Sequence, residues 1–381
     1  MDRKKLWWII GVVIVVVAII FIGKKITQPP VPQGGKSVTV AMNVPITGTF
    51  GIYGQTIRDG ALMAKDDLTA HGLDIQLNMD IQDNAGTPAT ATTIFQKQAL
   101  SPVDIYVSGV KPQTMAIFDR VNEKKLPYFV WIFDASIVGQ HPNTFRTWVN
   151  YKYEPEKYFQ YVNYRKAKKV AIACVNFPHT VQEFNEIVIP KLNSQGVQTN
   201  IEIYEFDTKQ YRDLILKLSA QKPDLFILNG FQENLVGLVK ALRTYNLVQD
   251  GNVIGTYDLL DASKILSKEE LEGLRVVVPD FNISNMPKLN EWKQRFQSKY
   301  GREALYTDAY SYDMIQIIAD SAKRLTLPAT SDQWIQALRA TNIDGITGRL
   351  TFDQYKDLKL ELRVGQYKGG SLSLDSSEGS R

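Results

Sequence analysis

The sequence predicts an α/β protein: two doubly wound parallel-sheet lobes preceded by one N-terminal transmembrane helix. Three observations predict it. Strand-like and helix-like runs alternate from residue 37 onward, the pattern of a parallel sheet covered on both faces. The rhythm breaks at residues 139–155 and then resumes, giving two series and hence two lobes. Residues 6–23, LWWIIGVVIVVVAIIFIG, are 18 uncharged and almost wholly apolar residues.

The apolar run lies between Arg3-Lys4-Lys5 and Lys24-Lys25. As a helix rising about 1.5 Å per residue it nearly spans a hydrocarbon core about 30 Å thick. A secretory signal would have a shorter apolar region and a small-x-small cleavage site, which Ile22-Gly23-Lys24 does not supply. No cysteine follows, so lipoprotein processing is excluded. Residues 1–25 are therefore expected to be an uncleaved signal-anchor, and the basic excess at residues 3–5 places the N-terminus inside. Residues 26–36 are a Pro/Gly-rich linker of extended character.

The 381 residues carry a formal charge of +4. Residues 1–25 hold five basic residues against Asp2, which accounts for all of it. The remainder is formally neutral, which argues against nucleic acid, whose binding rests on phosphate neutralisation. Cys174, the one cysteine, sits in the apolar run Val170-Ala-Ile-Ala-Cys-Val175 and reads as a buried small residue, so no intrachain disulfide is possible. His71, His141 and His179 show no metal-ligand spacing, and no cofactor is expected.

In the first lobe, residues 37–44 read as a strand. Residues 53–69 read as a helix, with Ile57, Ala61, Ala64 and Leu68 on one stripe. Residues 74–82 alternate strictly and read as a strand near a sheet edge. Helix at 87–100, strand at 104–108, helix at 112–124 and strand at 127–133 complete the first series. The second series has strands at 170–175, 197–206, 224–229 and 252–256. Helices at 180–195, 209–221 and 233–245 separate them. Residues 275–279 precede three successive helices at 289–300, 308–325 and 331–340. A turn into a strand at 344–352 and a last strand at 360–367 follow. The Ser-rich residues 371–381 are expected to be disordered.

The loop after the first strand, Pro45-Ile-Thr-Gly-Thr-Phe-Gly-Ile-Tyr-Gly54, has the spacing Gly-x-x-Gly-x-x-Gly. It lacks the Gly-x-Gly start of a dinucleotide fingerprint and the Lys of a phosphate loop. Asp83 is too far along to serve as the fingerprint's acid. No Gly-x-Ser-x-Gly elbow or His-Glu-x-x-His is present. An enzyme on a doubly wound fold is the remote alternative.

The chain resembles the type I periplasmic binding proteins of the branched-chain amino acid (Leu/Ile/Val) transport family. The resemblance is carried by Pro45-Ile-Thr-Gly48, Tyr53-Gly54 and Gly60-Ala61, by Gly109 followed by Gln113-Thr114, and by Phe145-Arg-Thr147. Tyr300-Gly301, Ala309-Tyr-Ser-Tyr-Asp313 and Gly345-Ile-Thr-Gly-Arg-Leu-Thr-Phe-Asp353 continue it. Their order and spacing cover nearly all of residues 36–370. The resemblance implies a clamshell whose lobes, joined by a hinge, close on a ligand. It divides the chain into lobe 1 (37–149 plus 279–347) and lobe 2 (150–278 plus 348–370). It implies no catalysis: a membrane-tethered extracytoplasmic protein hands a small polar ligand to an ABC permease. The alternative on this fold is a ligand-sensing ectodomain working with a membrane signalling partner.

Ligands of open α/β sheets bind outside the carboxyl ends of the strands. Tyr53 either stacks on the ligand or caps its helix. Gln113 and Thr114 open a helix whose N–H groups suit a carboxylate, or simply cap it. This chain departs from the amino-acid binders around Trp131-Ile-Phe-Asp-Ala-Ser136: Phe133 is bulky, and Asp134 would repel a carboxylate and attract a cation. Phe177 and His179 follow a strand end in lobe 2. Phe231 and Gln232 match the family's stacking position loosely. Tyr257 and Asp258 fall where the family places its ammonium-binding acid. Together, Asp134 and Asp258 favour a cationic or amine-bearing ligand.

Overall fold

The computed structural model describes residues 36–132, 137–148 and 153–379. The expected signal-anchor, nearly all of the linker, Phe133 and Asp134 lie outside the described residues. Among the described residues no helix is long and apolar enough to cross a membrane.

Lobe 1 is built on a five-stranded sheet in the order β2-β1-β3-β4-β5. Its strands are β1 (Lys36–Val44), β2 (Ile75–Asp83), β3 (Ile105–Gly109), β4 (Tyr128–Trp131) and β5 (Thr144–Arg146). β1, β3, β4 and β5 run parallel, with Val40 opposite Ile105 and Tyr106 opposite Tyr128. The central strands are buried over most of their length because helices cover both faces.

Lobe 2 carries a seven-stranded sheet, β14-β13-β10-β9-β8-β6-β7. β6 (Lys169–Val175), β7 (Gln198–Tyr204), β8 (Leu225–Leu228), β9 (Val253–Gly255) and β10 (Arg275–Pro279) are parallel. β13 (Leu362–Lys368) and β14 (Ser371–Leu374) add an antiparallel edge. A hairpin of β11 (Asn342–Asp344) and β12 (Arg349–Thr351) stands apart.

The C-terminal segment corrects the expectation of disorder. Ser371–Leu374 alternates Ser and Leu and pairs with β13 from Gly365 to Lys368. Beyond it, Asp375 accepts from Arg275 Nε at 2.6 Å, and Glu378 bridges Lys157 and Arg363. Composition alone does not register such long-range ion pairs, so the serines read as solvated when they are an edge strand.

The loop between β1 and α1 (Gly51–Ala70) is fastened by Asp83, at the end of β2. The Asp83 carboxylate accepts from the N–H groups of Ile46, Thr47 and Ala85 and from the Thr47 hydroxyl. Burial works against the charge, but these bonds hold the carboxyl below its usual range. Gly54 lets the helix approach: a Cβ there would lie 2.0 Å from the Pro45 carbonyl oxygen.

Two further helices of lobe 1 bear on the site, α2 (Pro88–Gln98) and α3 (Lys111–Glu123). Lobe 2 opens with α4 (Glu154–Arg165). After β6 comes α5 (Pro178–Glu183), then a π-helical turn Phe184–Val188, then α6 (Ile189–Ser194). Pro190 has no N–H to give the Glu186 carbonyl, and the continuous helix expected at 180–195 widens there.

Candidate ligand-binding site

Where the carboxyl ends of both sheets meet, lobe 1 contributes aromatic rings. Tyr53, in the first turn of α1, is 38% exposed, and its ring centroid lies 5.6 Å from that of Trp148. Trp148 also packs against Trp131 at 5.7 Å and against Tyr306 at 6.5 Å. Trp131 ends β4, and Tyr306 begins the helix Tyr306–Lys323. The Trp148 indole N–H is buried and makes no hydrogen bond among the described residues. The sequence reading missed both Trp148 and Tyr306. The one signal was the aromatic-rich break at residues 139–155.

Gln113 and Thr114 take a different part. Both are buried at the start of α3. The Gln113 amide N–H₂ donates to the Gly86 carbonyl. The Thr114 hydroxyl pairs with Ser108 Oγ at 2.8 Å, and Ser108 in turn pairs with the Tyr128 hydroxyl. Thr114 N–H donates to the Val110 carbonyl at 3.0 Å, and Pro112 removes another donor from that turn. The Gln113 amide and Thr114 hydroxyl are thus engaged within the fold, while no side chain caps the start of the helix.

Lobe 2 contributes acids. Glu154, the first residue of α4, accepts from Tyr257 N–H at 2.9 Å and from the Tyr158 hydroxyl at 3.3 Å. Burial, against those two bonds, pushes its carboxyl up to about 7. Asp258 follows β9; burial, then the charges of Glu154 and Asp261, raise its carboxyl well above the usual range. Glu183, at the end of α5, is raised likewise by burial and by Glu154. Glu183 escaped sequence reading because it lies inside a run expected to be helical, where an acid reads as a solvated face, and Glu154 because it falls in the break at residues 139–155.

Glu154, Glu183, Asp258, His179, Asn229 and Thr256 line one cavity of about 20 Å³, with Phe231 and Tyr257 beside them; no Lys or Arg is among its walls. Such a volume accepts one water-sized group. The cavity adjoins the cleft. Burial raises the Tyr53 hydroxyl, and the charges of Asp261 and Asp258 add to it, so this lobe 1 hydroxyl lies within electrostatic range of lobe 2 carboxyls. The buried Tyr257 and Tyr306 hydroxyls are raised too, by burial first, then by Asp258 on the one and by Tyr53 and Asp258 on the other.

Phe177 and Phe231 are half-buried and meet edge to face at 5.2 Å. Phe206, not singled out in the sequence, completes the group at 5.6 and 5.5 Å from them. His179 stands 6.0 Å from Phe177. Gln232 donates to the Asp261 carbonyl at 3.0 Å. A larger groove of about 560 Å³, lined by Arg165, Lys166, Lys168 and Lys222, lies at the opposite, amino-terminal edge of the lobe 2 sheet. The strand-end rule and the convergence of acids and rings both favour the cleft over that groove.

Comparison with known proteins agrees with this architecture. A leucine-, isoleucine-, valine-, threonine- and alanine-binding protein of Pseudomonas aeruginosa is 22% identical over 345 residues, spanning 85% of this chain and 87% of that one. A periplasmic ligand-binding protein of a branched-chain amino acid ABC transporter from Burkholderia xenovorans superposes with a TM-score of 0.75 at 14% identity. The match covers 90% of this chain and 97% of that one. A solute-binding protein of an ABC transporter from Rhodopseudomonas palustris, in complex with benzoate, superposes with a TM-score of 0.66 at 14% identity, over 89% and 95%. The family model described as periplasmic binding protein matches residues 37–371, and the chain belongs to that family.

Proposed function

We propose that this protein is a membrane-tethered, extracytoplasmic solute-binding protein that captures a small polar ligand (amino acid, amide or amine-like) between its lobes and delivers it to an ABC permease. The observation that carries the reading is that Tyr53 of lobe 1 packs on Trp148 while its hydroxyl lies within electrostatic range of the lobe 2 acids Asp261 and Asp258. Aromatic walls with a few convergent polar groups are the usual make-up of a small-molecule site. Hinge closure would bury such a ligand, and the permease would read the closed shape. The ligand-binding residues of this reading are Tyr53, Phe177, His179, Phe231, Gln232, Tyr257 and Asp258, with Trp148, Glu154 and Tyr306 added. Phe133, Asp134, Gln113 and Thr114 remain candidates on the resemblance alone.

The tether rests on residues 6–23 and the flanking lysines and arginine. The relatives named above bind amino acids or benzoate, all of which carry a carboxylate.

A thermal-shift screen of the full-length chain against amino acids, amides, amines and aromatic carboxylates tests capture, since a bound solute raises the melting temperature by mass action. A hit that is released unchanged supports the reading. Turnover of a hit, or a hit unaffected by loss of Tyr53 and Asp258, overturns it. Recovery of the protein in the soluble fraction of lysed cells overturns the tether.

A further inference from the structure

We infer that the groove at the amino-terminal edge of the lobe 2 sheet is a second binding site, separate from the cleft, for a small multivalent oxyanion. The inference does not rest on solute capture.

The sequence places four cations in five residues, Arg165-Lys-Ala-Lys-Lys169. This run is the turn from α4 into β6. Ala167 is buried beneath it, and Lys166 takes the chain round at a φ of 52°. Two more turns from a helix into a strand lie alongside, before β8 and before β9, because β6, β8 and β9 are neighbours in the sheet. Lys222 lies in the first of them with a φ of 50°, and Asn246 in the second with a φ of 53°. The three turns line a groove of about 560 Å³, within the range of small-molecule sites.

Arg165, Lys166, Lys168 and Lys222 are among its walls, and none of the four side chains makes a hydrogen bond or an ion pair among the described residues. Cations at helix ends commonly bond the last carbonyls. Lys169 does so, donating to the Gln221 carbonyl at 3.3 Å, but the four in the groove do not. Asp224 is the one acid among the described walls. Its Oδ2 accepts from Lys168 N–H at 2.7 Å and from Lys169 N–H at 2.9 Å. Asn252 pins the third turn, accepting from Gln249 N–H at 2.7 Å and donating to the Leu247 carbonyl at 2.9 Å. The turns are fixed, and the charged ends of the walls are unspent.

Four cations against one carboxylate leave an excess of three positive charges, in a chain that is formally neutral beyond residue 25. The carbonyl ends of the three helices take back about half a unit each, and a positive balance remains. One carboxylate would meet only part of it. An anion with two or three charged groups meets all of it, and Arg165 offers a planar fork of donors where the lysines offer point charges. The hollow shape favours a small soluble anion over a flat membrane surface.

The test titrates the full-length chain in neutral detergent micelles with tripolyphosphate, citrate and acetate, read by calorimetry. Tripolyphosphate and citrate are expected to bind, and acetate to bind weaker by about tenfold or more. The tighter of the two multivalent anions identifies the group as phosphate or carboxylate. Raising the salt from about 50 to about 200 mM should weaken both severalfold. Lys166→Glu with Lys222→Glu should lower their affinity by about tenfold or more and leave the melting temperature within a few degrees, since both residues are exposed. Arg165→Gln with Lys168→Gln is the second pair should the first fail to fold. The basic residues flanking the apolar run at 6–23 are the same in every variant. Binding that survives in both pairs therefore lies outside the groove and overturns the inference. Acetate binding as tightly as citrate and tripolyphosphate, or no binding of either multivalent anion, overturns it as well. Binding only to micelles doped with phosphatidylglycerol would overturn it in favour of a membrane surface.

Discussion

Arg146 and Asp357 form a two-pronged ion pair across 211 residues of sequence, Nε to Oδ1 at 2.9 Å and Nη2 to Oδ2 at 2.7 Å, with both residues buried. Arg146 ends β5, where the chain leaves lobe 1, and Asp357 lies on the segment that returns toward β13. The backbone joins at the same point: Arg146 N–H donates to the Lys356 carbonyl, and Leu358 N–H donates to the Arg146 carbonyl. Arg146 Nη1 reaches the Ile132 carbonyl as well. Two of the segments that connect the five-stranded and seven-stranded sheets are thus clasped together.

Removing one partner of this pair strands the other charge. Arg146→Met is expected to lower stability by about 3–5 kcal/mol, and the double change Arg146→Met with Asp357→Leu to recover much of that. Urea unfolding of the three proteins measures it. A single variant within about 1 kcal/mol of the parent would show that the clasp carries no strain-free charge pair worth naming.

Glu154 sets a pH dependence of stability. Its carboxyl, ordinarily near 4.5, is held up to about 7 by burial. The folded state binds the proton more tightly than the unfolded chain, so the stability this group contributes is full below about 4.5 and is lost as pH rises toward about 7. Two and a half pH units correspond to at most about 3 kcal/mol, and Glu183 and Asp258, raised in the same direction, steepen the fall. The unliganded protein should therefore melt higher at pH 6 than at pH 8. Glu154→Gln keeps an acceptor for Tyr257 N–H and should flatten that slope. A slope of the opposite sign, or one unchanged in the variant, contradicts the assignment.

The secondary structure was largely legible because it is written locally. The alternation of strand and helix and the buried stripes need only nearest neighbours. The motif residues had physical reasons as well. Asp313 accepts from Ile346 N–H, Thr347 N–H and the Thr347 hydroxyl, and a Cβ on Gly345 would lie 2.5 Å from its carboxylate. The last two signatures are thus one joint between a helix and a hairpin. The site was less legible. Trp148, Glu154, Glu183 and Tyr306 matter through neighbours that come from other segments, and no spacing announces that. Gln113 shows the converse: it stands at a helix start with exposed-looking neighbours, yet its amide is turned onto Gly86. The tail was misread for the same reason, since Asp375 and Glu378 are fixed by Arg275, Lys157 and Arg363 far upstream.

Tyr53 separates binding from folding. Its ring is partly exposed and leans on Trp148. Tyr53→Ala should leave stability within about 1 kcal/mol. It should weaken the ligand by about three- to tenfold, the worth of one aromatic contact. Tyr53→Phe, which keeps the ring that packs on Trp148, should retain most of the affinity. Intrinsic fluorescence during titration reports both, because Trp148 is the neighbour. Equal affinity in the alanine variant would remove Tyr53 from the cleft wall.

Gly60 offers a test in which two known effects have opposite signs. It sits in the middle of α1, where a glycine is ordinarily unfavourable and replacement by alanine would stabilise an open helix by up to about 1 kcal/mol. Here a Cβ would lie 2.0 Å from the Asp308 carbonyl oxygen and 3.0 Å from the Ser311 Cβ. The neighbouring helix cannot easily yield. Ser311 Oγ donates to the Ile57 carbonyl at 2.5 Å, and Arg302 ties Asp59 to Asp308 at 2.9 and 2.7 Å. The Tyr300 hydroxyl holds the Asp59 carbonyl at 2.8 Å. Overpacking against fixed backbone costs about 1–3 kcal/mol, more than the propensity gain. Gly60→Ala should therefore lower the unfolding midpoint, and a raised midpoint would mean that the two helices are free to part.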